Sequence, residues 1–337
     1  MRRVRPIPFV VALAVLAIAV AGCGERKEST TPQHAQRVEL MLDWVPNADH
    51  SAIYAAQANG RFKQVGLDVK IRTPSDPAAP IREAATGRTD LAISYEPEVI
   101  RQRDRGVKIV TVGALVQRPL TSIISLPPAH ISQPADLAGK RVGTAGIDYQ
   151  TAFLQAITRH AGIDPSQVKA RSVGFNLVPA LLTKKVDAIL GGYFNYEAVQ
   201  LKQQKKDPRI IRIDRAGVPT YDELVFVSSE KNARREAGVI RSFLGALARA
   251  TNDLRKKGGD VHALVAANPD LQEKLQRASL KVLITQHLFD PPKGHPFAYQ
   301  DPHQWNAFAK FMQQAGLIRS PDASGAFTNA LLPGQGP

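Results

Sequence analysis

The sequence predicts an α/β protein of two lobes, the first of them discontinuous. Three observations carry this. Short apolar strands alternate with helical segments at the spacing of βαβ units, which build parallel sheets. The alternation occurs twice, over 38–115 and again over 141–214, with Pro127-Pro128 between the two series. The apolar stretch at 224–228 (LVFVS) then returns the chain to the first lobe. With 337 residues, 44% of them hydrophobic and 22% charged, the chain can fill two such cores and is not a disordered polymer. The expected division is a leader at 1–22, a tether at 23–36, a first lobe of 37–122 with 226–337, and a second lobe of 123–225. The strands at 121–126 and 224–228 are the expected hinge.

The leader comes first. Arg2, Arg3 and Arg5 precede an apolar run over 9–22, too short for the roughly twenty residues that span a bilayer. The run ends in Val20-Ala21-Gly22-Cys23, which resembles a bacterial lipobox: small residues fit a signal peptidase, and the Cys23 thiol accepts a diacylglycerol. A free thiol after an ordinary signal peptide is the alternative. Cys23 is the single cysteine, so no intramolecular disulfide can form. The expectation is an exported protein, lipid-anchored on the outer face of the cell membrane, with the polar stretch 24–36 as a flexible tether.

Val38, Leu40 and Leu42 alternate with polar positions as a first strand, which Pro46 and Asn47 end in a turn. A helix follows over 51–59 with Gly60 at its stop. A second strand ends at Arg72, a helix covers 77–86, a buried strand 90–94, and Glu96-Pro97-Glu98 opens the next helix with acids at its positive end. Strands are expected at 107–115, 121–126, 141–144, 168–173, 186–190 and 209–214. Helices are expected after Tyr149, over 178–184 and after Tyr193; beyond residue 236 the chain reads as helical, over 238–256, 261–267, 271–283 and 303–315.

The formal charge is +14, or +11 once Arg2, Arg3 and Arg5 leave with the leader. The cations are scattered in pairs such as Lys184-Lys185 and Lys256-Lys257, without a basic stripe interleaved with aromatics, so no nucleic-acid partner is expected. The histidines lack metal-ligand spacing, and no HExxH or GxSxG motif occurs; neither a metal nor a cofactor is expected.

Several segments carry a resemblance: LDWVPNADHSAIYAA at 42–56, GRFKQVGLDV at 60–69, DLAISYEPEV at 90–99, GGYFNYE at 191–197 and GVPTYDELVFVSS at 217–229. Through them the chain resembles the solute-binding proteins of ABC importers. More narrowly, it is similar to the family that includes the bacterial thiamine-pyrimidine-precursor binding protein and the eukaryotic pyrimidine synthase. The resemblance implies a periplasmic-binding-protein type II fold, a monomer, a small aminopyrimidine ligand, and an ABC permease with its ATPase as partners. It places Trp44, Tyr193 and Glu197 at the ligand, followed by Asp43, Asn47, Tyr95, Tyr221 and Glu223. The synthases of that family carry a cysteine-rich segment and a reactive histidine. Here the segment after Pro219 has no cysteine and 94–99 no histidine, which implies a binder rather than an enzyme.

The same residues can be read physically. Trp44, Tyr95 and Tyr193 can stack on a flat ring, and Asp43, Glu96 and Glu197 can accept from amino groups at its edge. Tyr193 and Glu197, four apart, are expected to share a helix face. No Arg or Lys lies within the segments that hold these residues, 42–56, 90–99, 191–197 and 217–229, which argues against a sulfonate or phosphate ligand. Structural alternatives stand beside each reading: Trp44 and Tyr193 as core aromatics, Glu96 and Glu197 as helix-start acids, Asn47 and Asp49 as turn and cap residues. His50 is read as packing over the turn. Phe297 and Tyr299 are further candidates to close the pocket.

Overall fold

A computed structural model describes residues 35–334. The expected leader, the Cys23 lipidation site and the tether up to residue 34 lie outside the described residues. The chain order is β1 (Gln36–Met41), α1 (Ser51–Ala58), β2 (Leu67–Arg72), α2 (Ala79–Thr86), β3 (Leu91–Ser94), α3 (Glu96–Asp104) and β4 (Ile109–Val116). It continues with β5 (Thr121–Ser125), β6 (Arg141–Thr144), α4 (Asp148–His160), β7 (Lys169–Ser172), α5 (Leu177–Leu182), β8 (Ala188–Tyr193), α6 (Glu197–Gln203) and β9 (Arg209–Arg212). The rest is β10 (Leu224–Ser229), α7 (Glu230–Arg235), α8 (Ala237–Lys256), α9 (His262–Ala267), α10 (Glu273–Thr285) and α11 (Pro302–Gln314).

Two five-stranded sheets result, ordered β2-β1-β3-β10-β4 and β7-β6-β8-β5-β9. They repeat one plan. In each, three strands run parallel and one antiparallel strand, supplied by a crossing from the other sheet, pairs beside them: β10 in the first sheet, β5 in the second. The strands expected at the hinge thus stand one in each sheet, immediately after the crossings at 117–120 and 213–223. The core strands β3, β4 and β5 are buried along their whole length, as a sheet covered by helices on both faces requires. Phe62 stacks on Phe243 of α8 at 5.2 Å, fixing that long helix over the first sheet.

The expected strand at 186–190 is observed at Ala188–Tyr193, so the Gly191-Gly192 pair belongs to the strand and not to the turn after it. The pairing explains the difference. Ser122 pairs with Gly192 and Ile123 with Leu190, which leaves Gly191 as the extra residue of a β-bulge. Its φ of +104° is glycine territory. In consequence Tyr193 and Glu197 do not share a helix face: Tyr193 ends β8 and Glu197 opens α6.

Candidate functional site

The carboxyl ends of β1, β3, β6 and β8 converge, and the residues that follow them face each other across the gap between the lobes. From the first lobe come Asp43, Trp44, Asn47 and Tyr95; from the second, Tyr193, Tyr196 and Glu197. Ala145, Ile147, Tyr149 and Gln150, around the start of α4, complete a narrow cavity with Gly191.

In the first lobe the turn after β1 is fixed by its own side chains. The Asn47 Oδ1 accepts from the Asp49 amide (2.9 Å), and the Asn47 amide donates to His50 Nδ1 (3.2 Å). With Nδ1 accepting, Nε2 carries the proton and donates to Asp43 Oδ1 (2.8 Å). The Tyr95 hydroxyl donates to Asp43 Oδ2 (2.9 Å). Asp43 is therefore held from both sides with its carboxylate aimed by lobe-one groups, and His50, fully buried, packs over the turn as a positioning group. Trp44 stands edge-on to Phe175 of the second lobe, ring centroids 4.5 Å apart.

In the second lobe the Tyr193 amide donates to Glu197 Oε2 (2.7 Å) across the turn into α6. Burial pushes Glu197 up to about 7, against the backbone donors that lower it. A carboxyl poised near neutrality can share a proton with a ring nitrogen and accept from an adjacent amino group. Gln150 is set by the Ala145 amide, which donates to its Oε1 (2.8 Å). Among the described residues no lysine, arginine or histidine lines the cavity. Among the described residues no group of three or more His, Cys, Asp or Glu could hold a metal ion.

Three expected residues stand elsewhere. Glu96 is fully buried behind the cavity, where Oε2 accepts from the Asp222 amide (2.6 Å) and Gln304 donates to both oxygens (3.1 and 3.0 Å). Its acceptor capacity is consumed there, and burial beside Asp222 raises it well above the ordinary carboxyl range. Glu223 stands immediately before β10 and accepts from the backbone amides of Leu120 (2.6 Å) and Thr121 (2.8 Å) and from the Thr121 hydroxyl (2.9 Å). Tyr221 donates to the same carboxyl at 3.1 Å. These two residues tie one crossing to the other and are not among the residues that line the cavity. Phe297 and Tyr299 are likewise absent from the lining; Tyr299 stacks on His295 at 3.7 Å.

Sequence reasoning missed Tyr149, Gln150 and Tyr196. The signal for the first two was present: AGIDYQ at 145–150 follows the strand 141–144 as Asp43-Trp44 follows the first strand, at the same edge of the second lobe.

Residues 47–257 match the family described as NMT1/THI5 like. The chain is 31% identical to the formylaminopyrimidine-binding protein of Halalkalibacterium halodurans, covering 93% of this chain and 95% of that one. It is 34% identical to a Haemophilus influenzae protein named for thiamine biosynthesis, over 86% of this chain and 90% of that one. A Legionella pneumophila relative, 24% identical over 88% and 92% of the two chains, is named a 4-amino-5-hydroxymethyl-2-methylpyrimidine phosphate synthase. Among solved structures, the alkanesulfonate-binding protein SsuA of Xanthomonas axonopodis pv. citri superposes with a TM-score of 0.66 at 15% identity, over 87% of this chain and 98% of that one. The last similarity shows the fold, a periplasmic-binding-protein fold of two lobes, and the first three show the kinship. The chain belongs to the NMT1/THI5-like family.

Proposed function

We propose that the protein captures a thiamine pyrimidine precursor, an aminopyrimidine such as formylaminopyrimidine, and delivers it to an ABC permease and its ATPase. In this reading it is a monomer without a cofactor, exported and lipid-anchored through Cys23 on the outer face of the cell membrane. Its lobes are 37–122 with 226–337 and 123–225.

The observation that carries the reading is the composition of the cavity: an indole and four phenols around two carboxyls, with no cation among the described residues that line it. A flat ring with amino groups at its edge meets that chemistry. Trp44 and Tyr193 serve as plates, Glu197 grips the amino edge, and Asp43, Asn47 and Tyr95 complete the first-lobe wall. A sulfonate or phosphate would want the guanidinium or ammonium donors that the lining lacks. Binding, rather than synthesis, is supported by the absence of cysteine in Thr220–Val227 and of histidine in 94–99.

Calorimetric titration with formylaminopyrimidine, riboflavin and an alkanesulfonate tests this. Only the aminopyrimidine is expected to bind, and Glu197→Gln to weaken it by roughly 1.5–3 kcal/mol, the scale of a charge-assisted hydrogen bond. Equal affinity in wild type and Glu197→Gln, or tight binding of the sulfonate alone, contradicts it.

A further inference from the structure

Beside the cavity a second polar contact joins the lobes. Asp49 stands in the turn before α1, in the first lobe, and Asn195 between β8 and α6, in the second. The Asn195 Nδ2 donates to Asp49 Oδ1 (2.7 Å) and to Ser279 Oγ of α10 (3.2 Å). All three residues are 0–1% exposed, out of reach of bulk water. The other two polar atoms of the pair, Asp49 Oδ2 and Asn195 Oδ1, are buried without a partner. As a carboxylate and an amide, both are acceptors, and a dry site that leaves both unmet is unfavourable.

One proton resolves both. A carboxylic O–H on Asp49 Oδ2 donates to Asn195 Oδ1 while the Asn195 N–H donates to Asp49 Oδ1, closing a cyclic acid–amide pair. The two orphaned atoms are the two that this ring joins. We propose that Asp49 is a neutral carboxylic acid clasped by Asn195 when the lobes are closed, so that closure over a ligand takes up a proton at a residue outside the ligand cavity. Asp49 and Asn195 are thus positioning residues; the proposal rests on the binding-protein reading only for the meaning of closure.

The surroundings agree. Burial pushes Asp49 up to about 7, with Asp43 and Glu197 adding to the rise and His50 and Asn195 opposing it. His50 has both ring nitrogens engaged, by Asp43 and by the Asn47 amide. Tyr54 is the titratable group on the buried face of α1, and Tyr196, at the start of α6, accepts from Gln276 of α10 (3.1 Å). The charged residues of α10, Glu273, Lys274, Arg277 and Lys281, are all exposed. Among the described residues no lysine or arginine therefore faces Asp49 to hold it ionised.

In an open form the pair separates and Asp49 meets water, where an aspartate titrates near ~3.9. The closed form has the raised value. Closure is then favoured in full below the ordinary aspartate range and loses that support as pH rises to about 7.

The test is calorimetry with formylaminopyrimidine at about pH 5.5 and 8.5 on wild type, Asp49→Asn and Asn195→Asp. An asparagine at position 49 makes both bonds of the ring without a titrating proton. Wild type is expected to weaken from the lower to the higher pH by about ten-fold more than Asp49→Asn, a window set by the raised closed-form value. Asn195→Asp, an acid–acid pair, is expected to weaken more than wild type. Groups common to all three, Glu197 among them, cancel in the comparison. Equal pH ratios in wild type and Asp49→Asn overturn the proposal, as does an Asp49→Asn protein about ten-fold weaker than wild type at both pH values. If formylaminopyrimidine binds none of the proteins, the ligand reading has failed and small-angle scattering of the ligand-free chain decides. A radius of gyration that grows with pH in wild type but not in Asp49→Asn supports the pair; one that ignores pH in wild type overturns it.

Discussion

Trp44 is the residue whose behaviour is easiest to watch. The chain has two tryptophans, and the other, Trp305, is buried in α11 with its Nε1 donating to Asp222 (2.8 Å), away from the cavity. Addition of formylaminopyrimidine is therefore expected to change the emission of Trp44 and leave that of Trp305. Trp305→Phe should retain the response and Trp44→Phe lose it; the reverse pattern would place the ligand elsewhere. Trp44→Ala removes both the plate and its edge contact with Phe175. On the scale of an aromatic pair, a loss of about 0.5–1.5 kcal/mol in affinity beyond buried area is expected in the same titration. At this scale the sequence was partly legible. The types and spacing of Asp43, Trp44, Asn47, Tyr95, Tyr193 and Glu197 indicated residues that do meet in one cavity. Glu96, Tyr221 and Glu223 have the same chemistry, and only their neighbours distinguish them. A glutamate whose oxygens are taken by amides looks identical in a sequence to one that faces a cleft.

The elements that matter beyond the strands are the two crossings and the β8 bulge. Glu223 gathers donors from both crossings, and burial pushes it up to about 7. Glu223→Gln turns an amide nitrogen toward one set of donors, so about 1–3 kcal/mol of stability should be lost in urea unfolding, the cost of a buried unmet group. An unchanged midpoint would show that the clamp is dispensable. The bulge offers a sharper test. A Cβ on Gly191 would lie 2.5 Å from Gln150 Nε2, and φ is +104°. Gly191→Ala is expected to displace Gln150 from the Ala145 amide and weaken formylaminopyrimidine binding more than it lowers stability. The bulge itself was not legible, because a glycine pair after an apolar run reads equally as a turn. The pairing of Ser122 with Gly192 that decides it is contributed by a strand some seventy residues away.

For the whole molecule, the alternation of strands and helices gave the two-lobed architecture before any coordinate. The crossing positions emerged only from sheet membership, since β5 and β10 each pair with partners distant in sequence. Folding takes several carboxyls out of water together. Glu98 is pushed up to about 8, and Asp49, Glu197, Asp222 and Glu223 to about 7, burial being the leading cause in each. Raised carboxyls contribute stability that is complete below their unfolded values near ~4 and is lost as pH climbs through about 7 to 8. Exposed aspartates held low, such as Asp136 at about 2, keep their contribution throughout that window. The urea midpoint is accordingly expected to be higher at about pH 5.5 than at 8.5. A rising midpoint over that window would contradict the buried-acid account.

The central claim is that two lobes clasp a flat, amine-bearing ring between Trp44 and Tyr193 with Glu197 at its edge. A crystal structure of the protein loaded with formylaminopyrimidine tests it most directly. The account predicts the pyrimidine stacked between indole and phenol, its amino group within hydrogen-bond distance of the Glu197 carboxyl. A ring bound outside that cavity, or a Glu197 carboxyl turned away from it, would contradict the claim.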